Sequence, residues 1–224
     1  MNSFTLMPIH KEVLAQLDQQ CEPYQAQWIA VTKMRSIDTL KELYNNGKKV
    51  FGENKAQELC DKYPLLPKDI DWHFIGHLQT NKVKQIIDKV STIHAVDSLK
   101  LLNEIQKETS KVGKTINVFL QLHIAQEETK YGFSVEELMN FFKEINLSDY
   151  PNIRIQGLMA MASLTEDKEQ IRSEFMQVKT TLDRLNKENN LHLNELSMGM
   201  SGDYEIALEC GATWIRVGSL LYNE

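Results

Sequence analysis

Along the chain, short runs of apolar residues alternate with longer stretches in which apolar positions recur every three or four residues. The short runs fall near 28–32, 49–52, 72–76, 92–96, 116–123, 153–159, 193–198 and 213–218. They are rich in Val, Ile, Phe, Trp and Leu, and their length suits strands buried on both faces. Between them, amphipathic stretches predict helices at 36–46, 54–63, 79–89, 97–112, 133–146, 166–190 and 203–210. Ser36, Asp97-Ser98 and Ser134 stand at helix starts, where a side-chain oxygen caps free N–H groups. Gly47, Gly113 and Gly211 stand at helix ends, where a left-handed residue closes the last turn.

Eight strands with a helix in each of the seven intervals predict an α/β protein whose parallel sheet closes as a (β/α)8 barrel. An open doubly wound sheet of the same size is the alternative. The chain stops six residues after the eighth strand, which leaves no room for a full eighth helix. An extra N-terminal helix at 8–20 precedes strand one and is expected to cover the exposed flank. With no linker, low-complexity tract or repeat, residues 1–224 read as a single domain.

Composition narrows the function. Lys and Arg total 25 against 31 Asp and Glu, a net charge of −6, which argues against a general nucleic-acid surface. No apolar run approaches a membrane span, and the N-terminus lacks the pattern of a signal peptide. Cys21, Cys60 and Cys210 lie far apart, with neither a disulfide framework nor a zinc spacing, so a cytoplasmic location is expected.

A barrel carries its site at the C-terminal ends of its strands, and the polar candidates collect there. Lys33 ends strand one; Glu53 and Asn54 end strand two; Gly76, His77, Gln79 and Asn81 follow strand three. His94 and Asp97 bracket the end of strand four, and His123 ends strand five. Strand seven runs into Met198-Gly-Met-Ser201, and strand eight into Arg216-Val-Gly218-Ser219. The last two strands are where barrels often bind phosphate. Small residues there expose backbone N–H groups to an anion, and Ser201 adds a hydroxyl. The bland reading is that small residues merely allow a sharp turn.

A lysine at a strand end ordinarily reaches water. Opposite a phosphate cradle it gains a second reading. Partial desolvation in the barrel mouth favours the neutral amine, which attacks an aldehyde and holds it as a Schiff base. Arg216 shares a strand face with Gly218 and has only donors to offer. One reading has it meet a pyridine nitrogen, which must then stay unprotonated; the other is a salt bridge with an acid such as Glu53, and the two are compatible. His73, His94 and His123 read as hydrogen-bonded core residues without a metal-ligand spacing. Met159, Met161, Met198 and Met200 read as core and pocket lining, with Met198 counted among the candidate ligand-binding residues.

These segments carry a resemblance. Ala30-Val-Thr-Lys33, Phe51-Gly-Glu-Asn54 with Gln57-Glu58, His73-Phe-Ile-Gly-His-Leu-Gln-Thr-Asn-Lys82, Lys130-Tyr-Gly132, Gly157-Leu-Met-Ala160, Leu196-Ser-Met-Gly-Met-Ser201 with Asp203, and Arg216-Val-Gly218 run in order over nearly the whole chain. Together they resemble the pyridoxal 5′-phosphate (PLP) homeostasis proteins. The resemblance implies a barrel like the N-terminal domain of alanine racemases. It implies PLP on Lys33, phosphate at Ser201, Gly218 and Ser219, Arg216 at the pyridine nitrogen, and Asn54 near the cofactor. The departures are Thr32-Lys33-Met34, where the family usually has Ser-Lys-Thr, and the tail Leu221-Tyr-Asn-Glu224.

Three functions compete. The first is PLP binding and intracellular PLP homeostasis without catalytic turnover, with PLP and apo PLP-dependent enzymes as partners and a monomer or weak dimer as the state. The second is a PLP-dependent amino-acid racemase or decarboxylase. It needs an acid or base on the opposite face of the cofactor, and the chain has no residues left over for a second domain to bring one. The third is a cofactor-free Schiff-base aldolase, with Glu53 as acid/base.

Overall fold

The computed structural model describes residues 8–125 and 131–222. The strands are β1 (Gln27–Val31), β2 (Val50–Glu53), β3 (Asp71–Phe74), β4 (Thr92–Val96), β5 (Ile116–Gln121), β6 (Ile153–Met159), β7 (Glu195–Met200) and β8 (Trp214–Val217). They pair in chain order and close, all parallel, into an eight-stranded barrel. Among the described residues, the helices are α1 (Lys11–Cys21), α2 (Ile37–Asn45), α3 (Ala56–Lys62), α4 (Val83–Ile86), α5 (Leu99–Val112), α6 (Val135–Glu144), α7 (Lys168–Asn189) and α8 (Tyr204–Glu209).

The local signals act as expected. Ser36 and Ser98 accept the N–H groups of Thr39 and Leu101, and Ser134 forms a reciprocal capping box with Glu137. Gly113 ends α5 in the left-handed conformation at φ 65°. The stretch 79–89 falls short of the expected helix. It is a 3-10 turn over Thr80–Lys82 followed by one α-turn. Thr80 and Asn81, both weak helix formers, stand where it would start.

The N-terminal helix takes the flank left open after β8. It packs on β1 and on the final 3-10 turn (Ser219–Leu221), and the Tyr204 hydroxyl of α8 donates to Gln20 Oε1 at 2.8 Å. An antiparallel bridge between Ile9 and Tyr222 ties the two ends of the described chain together. No helix among the described residues is long and apolar enough to cross a membrane.

Side chains alternate across the barrel wall. Trp28 and Ala30 of β1, Val118 and Leu120 of β5 and Ile215 and Val217 of β8 join one apolar cluster with the helices. Ala95, Phe119 and Met159, with Met161 and Trp214, fill the interior as a second cluster. The His94 ring stacks on Phe119 at 4.4 Å, and His73 lies 5.1 Å from Trp214.

Where β6 meets β7, the two backbones approach too closely for any side chain. A Cβ on Gly157 would fall 1.8 Å from the Glu195 carbonyl oxygen, which is backbone and has no rotamer to change. Gly157→Ala is therefore expected to force β6 and β7 apart and cost about 3 kcal/mol or more. Thermal or urea unfolding of the variant measures this, and wild-type stability would show that the pair can spread freely.

Candidate functional site

Closing the barrel sets the first and last strands side by side. Ile29 pairs with Arg216 and Ala30 with Val217, so Val31 reaches the turn that follows β8. A Cβ on Gly218 would lie 3.3 Å from Val31 Cβ. The turn after β7 arrives at the same place, where the Gly218 N–H donates to Ser201 Oγ at 3.1 Å. Ser201, Gly218 and Ser219 thus share one end of the barrel with Lys33, which follows β1 by two residues. Ser219 is exposed and opens the final 3-10 turn, which the Leu221 N–H closes onto the Gly218 carbonyl at 2.9 Å.

Lys33 itself is exposed. The partial desolvation expected of it is absent, because Lys33 lies on a turn that lifts it past the strand end into solvent. Asn54, one residue past β2, is half-buried, and its Oδ1 is shielded from solvent with no hydrogen-bond partner. Gly76 lies against the Asn54 backbone, where a Cβ would meet the carbonyl oxygen at 2.3 Å. The Met198 side chain is fully buried in the apolar cluster outside the barrel, so it is not the pocket-lining side chain expected. Only its backbone remains for a ligand.

Arg216 points into the barrel and is 4% exposed. Its Nη1 donates to the Ser197 carbonyl at 2.8 Å and to Ser197 Oγ at 2.9 Å, and its Nη2 donates to the Ala160 carbonyl at 3.0 Å. Burial pushes the guanidinium down to about 10, with Asp203 opposing the shift, so it stays a cation near neutral pH. The expected alternative, a salt bridge to Glu53, is not formed. Gly52 faces the interior side chains of Ile29 and Ile75, which turns Glu53 outward. There Glu53 is fully buried and accepts from Lys62 Nζ of α3 at 2.7 Å and from Thr32 Oγ1 at 2.6 Å. Burial raises its carboxyl above the usual range. Held on the far side of the barrel wall, Glu53 is not placed to serve as the acid/base of an aldolase.

A hydrogen-bonded chain crosses the interior to Arg216. Asp71 Oδ2 faces His73 Nε2 at 3.3 Å, His73 Nδ1 faces His94 Nε2 at 3.0 Å, and His94 Nδ1 faces Ser197 Oγ at 2.8 Å. One polarity satisfies every member. The carboxylate only accepts, so His73 Nε2 donates to it; His94 Nε2 donates to His73; Ser197 donates to His94 and accepts from Arg216. Near the mouth, His77 stacks on Tyr131 at 3.6 Å and faces Asp97 at 2.9 Å. Lys130 lies outside the described residues.

The family model for the alanine racemase N-terminal domain matches residues 11–224. The pyridoxal phosphate homeostasis protein of Aquifex aeolicus is 42% identical over 200 residues, covering 89% of this chain and 87% of that protein. This chain belongs to the pyridoxal phosphate homeostasis protein family. Two solved structures of PipY from Synechococcus elongatus share 34% identity with this family member and cover 95% of it and 99% of their own chain. The one without PLP superposes at a TM-score of 0.89, and the one described as having PLP bound at 0.86.

Two connections near the candidate site went unrecognised in sequence: Lys62 with Glu53 and Glu58, and Ser197 with His73 and His94, the histidines read there as hydrogen-bonded core residues. The available signal was position. Ser197 and Arg216 both sit on strands whose neighbours join the outer cluster, so alternation turns both inward.

The buried chain has a pH signature. His94 is fully buried, and desolvation, helped by His73 and Arg216, holds it well below the usual imidazole range. As the pH falls through about 6.5, the unfolded chain takes up a proton that the folded one refuses. Stability is therefore intact above that pH and declines below it, by about 1.4 kcal/mol per unit. His94→Gln is expected to flatten this acid limb in urea unfolding measured between about pH 7 and 5. Parallel limbs for variant and wild type would assign the decline to other groups.

Proposed function

We propose that this protein binds PLP at the C-terminal mouth of the barrel, holds it through Lys33, and serves intracellular PLP homeostasis by storing and releasing it without turnover. The observation that carries this reading is the meeting of Lys33, Ser201 and Gly218 across the β1–β8 seam, in a chain 34% identical to a protein described with PLP bound.

The residues present fit the group. A buried guanidinium held only by neutral acceptors has N–H groups left for a ring nitrogen. The solvent-shielded Asn54 Oδ1 awaits a donor. Gly218 carries no side chain beside the turn, and Ser201, which accepts the Gly218 N–H, keeps its own hydroxyl hydrogen for a phosphate. When bound, PLP supplies an aldehyde for an amine and a ring that withdraws electrons.

The protein's own groups supply the rest. Lys33 offers an accessible amine. Ser201 and the backbone of Gly218 and Ser219 hold the phosphate. Arg216, fixed by Ser197 and Ala160, donates toward the ring nitrogen and has no proton to give up near neutral pH. A ring nitrogen kept unprotonated is a weak electron sink, which favours carriage over amino-acid chemistry. Apo PLP-dependent enzymes are the recipients this reading requires, and a monomer or weak dimer in the cytoplasm suits that exchange.

Borohydride reduction of the PLP-loaded protein followed by peptide mapping is expected to place the pyridoxyl group on Lys33, and Lys33→Ala to abolish the visible absorption band. Label found mainly on Lys82 or Lys130 would overturn the assignment. Ser201→Ala is expected to weaken PLP binding by about 1.5–3 kcal/mol, the worth of one donor to a charged acceptor. Gly218→Val should do more damage, since its side chain crowds both Val31 and the phosphate; equal affinity would move the phosphate elsewhere.

The racemase or decarboxylase reading draws on the match to the alanine racemase domain. Loaded protein incubated with L-amino acids in deuterated water is expected to show negligible exchange at Cα. Exchange, racemisation or decarboxylation at about 1 per second or faster would restore the enzyme.

A further inference from the structure

Lys62 is a lysine 4% exposed, and the proposed carrier role does not use it. Its three donors are all committed: to Glu53 Oε1, to Glu58 Oε1 and to the Thr32 carbonyl, each at 2.7 Å. The same Glu58 oxygen accepts the backbone N–H of Met34. Thr32 is bound a second time, through Oγ1 to Glu53 at 2.6 Å. Both neighbours of Lys33 are thus tied to one ionic cluster, while the Lys33 side chain itself extends into solvent.

The turn so held is strained. The Arg35 N–H closes it onto the Thr32 carbonyl at 3.2 Å, making Met34 its third residue, and Met34 has φ 59°. That region suits glycine, whereas a Met side chain there crowds the backbone. Met34 is also 63% exposed, so packing does not hold it. A strained conformation persists only when its surroundings over-determine it, and the surroundings here are Glu58 and Lys62.

We propose that Lys62, Glu53 and Glu58 form a clamp that positions Lys33, fixing the backbone on both sides of it so that its amine is aimed over the barrel mouth while its side chain stays free. The proposal rests on the reading of Lys33 as the point of attachment. It makes Lys62 and Glu58 positioning residues that act on covalent capture of the aldehyde and leave phosphate and ring recognition untouched. The clamp also accounts for a buried ion pair next to the site, since such pairs contribute little net stability and are retained where they specify a geometry.

Two ligands separate positioning from a purely structural role. PLP engages Lys33, whereas pyridoxine 5′-phosphate has the same ring and phosphate but no aldehyde. In Glu58→Ala, which frees the Met34 N–H and removes one partner of Lys62, PLP affinity is expected to fall about tenfold or more. Affinity for pyridoxine 5′-phosphate should stay within about twofold of wild type. Glu58→Gln keeps an oxygen at the same place and should recover most of the PLP affinity. Unchanged PLP affinity in Glu58→Ala, or an equal loss for both ligands, would overturn the clamp. Failure of the wild type to bind PLP at all would overturn the carrier reading instead. If Glu58→Ala does not fold, hydrogen exchange at the wild-type Met34 amide decides the point. Strong protection at so exposed a residue supports the clamp, and exchange at the rate of a free loop overturns it.

Discussion

The pairing of β1 with β8 is the constraint on which the rest depends. These strands are the first and last of the sheet, and their union closes the barrel. Gln27, Trp28, Ile29 and Ala30 pair with Trp214, Ile215, Arg216 and Val217 in an unbroken parallel register. A register slip of one residue would turn Arg216 out of the interior and Trp28 into it. In the observed register, a Cβ on Gly218 would lie 3.3 Å from Val31 Cβ, and Lys33 follows Val31 by two residues at the end of the barrel where Ser201 accepts the Gly218 N–H. Lys33 and the turns carrying Ser201 and Gly218, far apart in sequence, come to one end of the barrel through closure. The ends of the described chain reinforce it. Ile9 bridges Tyr222, whose hydroxyl donates to the Val31 carbonyl at 2.8 Å, and Arg35 lies 4.2 Å over the Tyr222 ring.

Two buried cations flank this seam, and the protein stabilises them by opposite means. Lys62 sits outside the barrel wall between two carboxylates, with every donor used. Such a group is finished and has nothing left for a ligand. Arg216 sits inside the wall with carbonyls and a hydroxyl as its partners and, among the described residues, no carboxylate in contact. A guanidinium in that state is held in place but not neutralised, and its field is directed at whatever enters the mouth. The difference follows from strand parity. Gly52 faces inward against the side chains of Ile29 and Ile75, while Glu53, next along β2, is turned out to meet Lys62 of α3.

The architecture was legible in sequence because each of its signals is local. Apolar runs gave the strands to within two or three residues, Ser36, Ser98 and Ser134 gave helix starts, and the count of eight gave closure. The end of β7 was less legible. The expected run of 193–198 became Glu195–Met200, because Gly199 at φ 92° extends the strand through an irregular register that no local pattern encodes. Of the candidate site residues, the structure brings Lys33, Ser201, Gly218 and Ser219 to one end of the barrel, and each was marked by a strand end or a small-residue turn. Of the two readings open to Met198, core and pocket lining, its side chain takes the core.

What sequence could not supply were relationships across the barrel. Lys62 stands four residues after Glu58, the spacing of an ordinary solvated helix pair. Its burial arises from the short α3 lying against the end of β2, a tertiary fact. His73, His94 and Ser197 are isolated polar letters on three strands, and only closure of the sheet joins them into one chain to Arg216. Groups that touch a ligand sit at strand ends, where the fold advertises them. The groups that hold those in place come from other elements entirely, and only the assembled barrel shows which is tied to which. The exposure of Lys33 is the clearest case. Read alone, a solvent-facing lysine is unremarkable surface, but its two backbone neighbours are fixed from beneath by the buried Lys62 and Glu53 and the part-buried Glu58. Its freedom at the tip and its rigidity at the root are therefore properties of different parts of the molecule.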